Sequence, residues 1–273
     1  MIFILKFDYY YYLKMKSHVN DHIKVLREEV FEIKTKWPQF ELLLDDLIML
    51  SENENIKTVC GLERTLLYGG YSLIAPLFEE NSKSFFSIDC SPETAEQRGD
   101  YCKERILNEK FIKKEMDIRR DIENLNIDIK FDLIVIPNLM HHVFNQEKII
   151  KSSYKLLNPN GKLYIFEPTI RELHQIPNDY IRWTPFGLNK IAELNNFRLI
   201  SQKETGNPFE AIKYCWYQAL EYLDDNDRKV IRDWLKKDQF PFINKLESKS
   251  SETNQVRNFT RFPTAFSCLY EKL

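Results

Sequence analysis

Residues 65–91 read TLLYGGYSLIAPLFEENSKSFFSIDCS: an apolar segment, a two-glycine turn, a helical stretch, and a second apolar segment that ends in an acid. This is the layout of a nucleoside-binding βαβ unit, in which glycines let the backbone approach a ligand and the closing acid accepts hydrogen bonds from ribose hydroxyls. Asp89 follows Gly69 at about the 20-residue separation such units use. The turn offers only Gly69 and Gly70, followed by Tyr71, Ser72 and Leu73. Without the G-x-G-x-x-G pattern it makes no pyrophosphate cradle, so a ligand lacking phosphates fits better.

On the carboxyl side, apolar segments alternate with helical ones. Strands are expected at Thr65–Tyr68, Ser84–Ile88, Phe111–Met116, Phe131–Pro137 and Lys162–Glu167, with further strands at Phe197–Gln202 and near Thr264–Tyr270. Short, nearly continuous apolar runs such as FDLIVIP suit strands covered on both faces, and the alternation predicts a parallel sheet with right-handed crossovers. A turn at Asn158–Gly161 separates a helix ending KLL from the strand KLYIFEP. On the amino side, His18–Leu50 carries apolar residues at helical spacing on either side of Trp37-Pro38, which predicts two helices before the first strand.

The chain has 273 residues, 43% of them hydrophobic, with 39 basic and 41 acidic side chains. That is enough to bury a substantial core, and no run of lysine or arginine marks a nucleic-acid surface. Five scattered cysteines lack C-x-x-C pairs or histidines at ligand spacing, so they read as reduced thiols of a cytoplasmic protein and no metal site is expected. The start, MIFILKFDYYYYLKMK, lacks the parts of a signal peptide and is too short to span a bilayer. Met15 is the expected natural start.

Taken together, YGGYS, SIDCSPE, EMDI, FDLIVIPNLMHHV and LLNPNGKLYIFEP resemble the class I S-adenosylmethionine-dependent methyltransferases in order and spacing, over about Thr65–Gln202. The resemblance implies a three-layer, Rossmann-like α/β fold with a mostly parallel seven-stranded sheet. Residues 1–60 would form a helical extension and residues 61–273 the methyltransferase-like domain, with a helical insertion at about 208–255 before the last strand. It also implies S-adenosylmethionine as cofactor. Tyr68, Gly69, Gly70 and Ser72 would lie at its methionine end, Asp89 and Cys90 at the ribose, Met116, Asp117 and Ile118 at the adenine, and Pro137, Asn138 and His141 near the sulfonium. The sequence departs from the family where its usual acid, two residues before the first glycine, is replaced by Leu67.

Each of these residues also has a plainer role open to it. Asp89 could cap a helix starting near Ser91-Pro92, and Asp117 could be a solvated acid in KKEMDIRRD. His141, His142 and His174 are the candidate bases if the acceptor must lose a proton, yet a histidine pair after a strand can equally serve packing. Glu167 and the polar loop RELHQIPNDYIRWTPFGL sit at the ligand-binding edge of such a sheet. Tyr214, Trp216, Tyr217, Tyr222 and Trp234 read as amphipathic-helix packing or an acceptor pocket. The expected function is methyl transfer to a small-molecule acceptor, with no nucleic-acid or membrane partner. The alternative is an inactive fold of this type that binds a nucleoside ligand or a partner protein.

Overall fold

The computed structural model describes residues 19–31, 33, 37–63, 67–68, 71–81, 83–90, 114–115, 118–119, 127–253 and 262–273. Its strands are β1 (Thr58–Glu63), β2 (Leu67–Tyr68), β3 (Tyr71–Ser72), β4 (Ser84–Asp89), β5 (Lys114–Glu115), β6 (Ile118–Arg119), β7 (Phe131–Pro137), β8 (Leu157–Pro168), β9 (Phe197–Thr205) and β10 (Ala265–Lys272). Seven of them form one sheet in the order β6-β4-β1-β7-β8-β10-β9. Neighbours run parallel from β6 to β8, and β10 is antiparallel to both β8 and β9.

The alternation of side chains along a strand explains why these segments are apolar throughout. Leu133 and Val135 of β7, with Tyr164 and Phe166 of β8, pack against the helix Phe40–Glu52 and the short helix Ala75–Glu79. Ile134 and Ile136, with Leu163 and Ile165, face the helices Gln146–Leu156 and Pro185–Leu194 on the other side. A sheet buried on both faces makes three layers. Helix starts follow local chemistry: Thr184 accepts from the Gly187 amide ahead of Pro185, and Asn207 accepts from the amides of Phe209 and Glu210 ahead of Pro208.

Two polar anchors hold the layers in register. The Asp132 carboxylate, at the start of β7, accepts from the amides of Lys57 and Thr58 and from the Asn158 side chain. Asp46, buried on the helix Phe40–Glu52, accepts from Tyr164 Oη at 3.0 Å, Ser267 Oγ at 2.7 Å and Lys203 Nζ at 2.5 Å. It thereby ties the amino-terminal helix to β8, β9 and β10.

The expected strand at Phe131–Pro137 matches β7 residue for residue. The expected first strand does not hold its place: β1 lies at Thr58–Glu63, and Leu67–Tyr68 belongs to a hairpin with Tyr71–Ser72 in a separate three-stranded sheet. The boundary drawn between residues 60 and 61 therefore falls inside β1. Of the expected third strand, Phe111–Met116, only Lys114 and Glu115 are described, and both are strand. Lys114–Glu115 joins the small sheet, and Ile118–Arg119 forms the edge beside Ile88–Asp89. Between β9 and β10 lie the helices Pro208–Leu220, Asp225–Trp234 and Phe240–Thr253. No described helix is long and apolar enough to cross a membrane.

Candidate active site

The carboxyl ends of β1, β4, β7 and β8 lie along one edge, where an α/β sheet presents ligand-binding loops. Glu63 ends β1 and is fully buried, with Asp89 at the end of β4 as its register partner. Ser72 Oγ donates to the Glu63 carboxylate at 2.7 and 2.8 Å, and Ser87 Oγ donates at 3.1 Å. The same Ser72 oxygen accepts the Ala75 amide at 3.1 Å, so one hydroxyl joins the buried acid to the start of the following helix. Motif spacing puts Leu67 at the family's acid position, whereas the acid that closes β1, after the apolar run VCGL, is Glu63.

The second half of the site surrounds Glu167, which is fully buried at the end of β8. Its Oε1 accepts the amides of Leu139 at 2.8 Å and Met140 at 2.7 Å, capping the short turn Met140–His142, and its Oε2 lies 2.7 Å from His141 Nδ1. That turn follows Asn138, which is buried and has a left-handed φ of 57°. His141 Nε2 is 3.4 Å from His174 Nε2. His174 Nδ1 lies 3.2 Å from the Glu172 carbonyl and 3.2 Å from Asp179 Oδ2, and His142 Nδ1 lies 2.5 Å from the Asn178 carbonyl. Asp179 is fixed by Arg182, whose Nη1 and Nη2 donate to its two oxygens at 2.5 and 2.8 Å.

Counting protons in the His141–His174 pair shows what it can do. The Glu167 carboxylate and the Glu172 carbonyl only accept, so each Nδ1 carries a hydrogen. Two neutral rings hold two protons, both spent on Nδ1, and the two Nε2 lone pairs then face each other with room for one more. His174 is held neutral at pH 7: burial first, and then the neighbouring Arg171 guanidinium and His141 ring, lower its pKa from 6.5 to about 4. The pair is a buried proton acceptor whose charged form would be oriented from both outer nitrogens. Donor nitrogens of His141, His142 and His174 also lie within 4.8 Å of one another, so the group has the donor set for a transition-metal ion. The cluster draws its three rings from two separate loops, a grouping that spacing along the chain does not display.

Other expected site residues fare differently. Gly69, Gly70, Met116 and Asp117 lie outside the described residues, and Tyr68, Asp89 and Ile118 are described as backbone in β2, β4 and β6. Cys90 follows Asp89, with its amide donating to the Glu63 carbonyl at 2.8 Å, and Pro137 closes β7. The insertion's aromatics mostly pack among themselves: Trp216 meets Trp234 edge-on at 5.7 Å, and Tyr217 meets Phe240 at 5.2 Å. Trp216 also lines an apolar cavity of about 510 Å³ with Pro208, Ile212 and Phe262. Tyr222 is exposed. Tyr214 turns to the site instead, donating to Glu172 and packing 5.3 Å from Trp37.

Residues 69–163 match a family model described as a methyltransferase domain. Among solved structures, a methyltransferase from Archaeoglobus fulgidus described as SAM dependent is 14% identical, with a TM-score of 0.50, covering 90% of this chain and 100% of its own. A S-adenosylmethionine-dependent methyltransferase from Clostridium acetobutylicum is 11% identical with a TM-score of 0.45, covering 93% of this chain and 98% of its own. An O-methyltransferase of a Brevibacillus brevis polyketide multienzyme, in complex with S-adenosylhomocysteine, is 12% identical with a TM-score of 0.44, covering 90% and 77%. No curated protein matches the sequence. Residues 69–163 thus match a methyltransferase domain, and the strand order and the structural likeness give the chain a Rossmann-like methyltransferase fold.

Proposed function

We propose that this chain binds S-adenosylmethionine along the ends of β1, β4 and β7 and methylates a small-molecule acceptor lying over the ends of β7 and β8. The described residues fit the cofactor. An acid closes β4 beside the β1 end, which suits ribose hydroxyls that donate, and Asn138 and His141 begin the loop after β7. Asp89 would hold the ribose, Gly69 and Gly70 would pass beneath the methionine end, and Met116, Asp117 and Ile118 would frame the adenine. Bound there, the cofactor supplies a methyl group already activated as a sulfonium.

The protein then has to align the acceptor, exclude water and take up a proton. Receiving the methyl group would make the acceptor strongly acidic at the atom that gains it. Its proton passes to the Nε2 position shared by His141 and His174. A weak base is sufficient because methylation itself acidifies that proton. Glu167 and Asp179 keep the two Nδ1 hydrogens in place, so neither ring has to turn. The observation that carries this reading is the Glu167–His141–His174 relay at the carboxyl end of β7 and β8. A cytoplasmic location agrees with the scattered, unpaired cysteine pattern.

Calorimetry with S-adenosylmethionine, S-adenosylhomocysteine and, as control, NADH tests the reading. Micromolar binding of the first two and none of the third is the expected result. Binding of NADH alone would replace methyl transfer with a nicotinamide reaction, and binding of none would leave a fold that has lost its cofactor.

A further inference from the structure

Arg171 stands on the loop after β8, on the same stretch as His174. Its side chain is 10% exposed, and its guanidinium carbon lies 4.6 Å from the centre of the Trp37 ring. The Nε and Nη1 nitrogens are buried and have no hydrogen-bond acceptor among the described residues. The acid next in sequence gives Arg171 an ion pair but no hydrogen bond. Glu172 Oε1 is 3.8 Å from Nε, beyond hydrogen-bond reach, and Glu172 Oε2 accepts from Tyr214. The loop's other guanidinium, Arg182, is bound at two nitrogens by Asp179. Buried donors are nearly always satisfied, and each of these two nitrogens can donate to an oxygen of a carboxylate or phosphate.

We propose that Arg171 is the receptor for an oxyanion, carboxylate or phosphate, carried by the methyl acceptor. The proposal rests on the methyltransferase reading and adds the acceptor's chemical class. The cofactor's own carboxylate does not belong here. Arg171 follows β8, which is separated by β7 from β1, and the cofactor's methionine end is assigned to the turn after β1. Arg171 also lies near enough for its charge to favour the neutral form of His174. An anion bound at Arg171 is thus anchored beside the proton-accepting pair, while Trp37 forms a flat apolar wall under the guanidinium.

The test is thermal melting of the wild type, Arg171→Gln and Arg171→Lys at one ionic strength in sodium chloride, sodium acetate or sodium phosphate. Saturable stabilisation of the wild type by acetate or phosphate over chloride, with at least a tenfold weaker midpoint in Arg171→Gln, is the expected result. A response to acetate alone identifies a carboxylate acceptor, and a response to phosphate alone identifies a phosphorylated one. Arg171→Lys keeps the charge without the guanidinium's fixed donors and should bind at an intermediate level; it also carries the comparison if Arg171→Gln does not fold. Equal anion responses in wild type and variants, or a wild type indifferent to both anions, would overturn the proposal. S-adenosylhomocysteine calorimetry on the same samples separates the two readings. Its binding should be unchanged in both variants, and its absence from the wild type would remove the methyl-transfer reading whatever the anions do.

Discussion

Gly61 has no side chain because the Glu63 carboxylate folds back over it: a Cβ built on Gly61 would lie 2.5 Å from Glu63 Oε1 and 2.6 Å from Phe85 Cζ. The glycine sits inside a strand, where it would ordinarily weaken the ladder, and here it makes room for a buried acid. Gly61→Ala should therefore cost about 1–3 kcal/mol, the range for overpacking a closed core. Urea unfolding measures this, and an unchanged midpoint would mean that Glu63 has another place to go.

Asp46→Ala tests whether the amino-terminal helix is fastened by its buried acid. The substitution strands the hydroxyls of Tyr164 and Ser267 and removes the partner of Lys203. A loss of about 2–4 kcal/mol is expected from unsatisfied buried groups. Hydrogen exchange should then show the helix Phe40–Glu52 opening at lower energy than β7. Uniform protection across both would argue against the anchor.

His174 makes stability depend on acid. Its folded pKa, about 4, is below the value of 6.5 it would have when exposed, so the unfolded chain binds a proton first as pH falls. Its contribution is complete above pH 6.5 and is lost as pH falls through about 4. Urea midpoints of wild type and His174→Gln should converge between pH 7 and pH 4, the wild type falling more steeply. Parallel pH profiles would contradict the assignment.

Asp89→Ala addresses the cofactor. If that acid holds the ribose hydroxyls, S-adenosylhomocysteine affinity should drop by about 1.5–3 kcal/mol, the loss for a charged hydrogen-bond partner. Calorimetry reads it directly, and unchanged affinity would put the ribose elsewhere.

The sheet's interior was legible because β7 and β8 carry the continuous apolar runs that burial on two faces demands. β1 was missed for the opposite reason. TVCGLE contains a glycine and ends in an acid, both of which read as loop, and only the fold shows that each accommodates the other. Leu67 and Tyr68 supplied a competing apolar signal that the backbone spends on a hairpin. The histidines were recognisable one at a time, since His141 and His142 follow a strand and His174 lies in a polar loop. Their meeting was not legible, because it depends on Glu167 orienting one ring and on the 174–180 loop folding back, with the Tyr180 amide donating to the His141 carbonyl at 2.9 Å. Arg171 was visible only as one charge among several; its missing partners are a property of three-dimensional packing.

Thr205 and Ala265 are register partners at the ends of β9 and β10, and everything between them leaves and re-enters the sheet at that single rung. The neck is tight: Gly206 has a φ of 85°, a Cβ on it would lie 2.0 Å from Thr264 Oγ1, and the Thr264 carbonyl also accepts the Thr169 amide at the root of the loop that bears Arg171 and His174. The helical excursion leaves and rejoins the sheet at this one rung, and Tyr214 ties it back to Glu172 and Trp37. Its outer surface can be rewritten, by evolution or by grafting, without re-threading the strands beneath it, provided that the rung and the Tyr214 contact are kept.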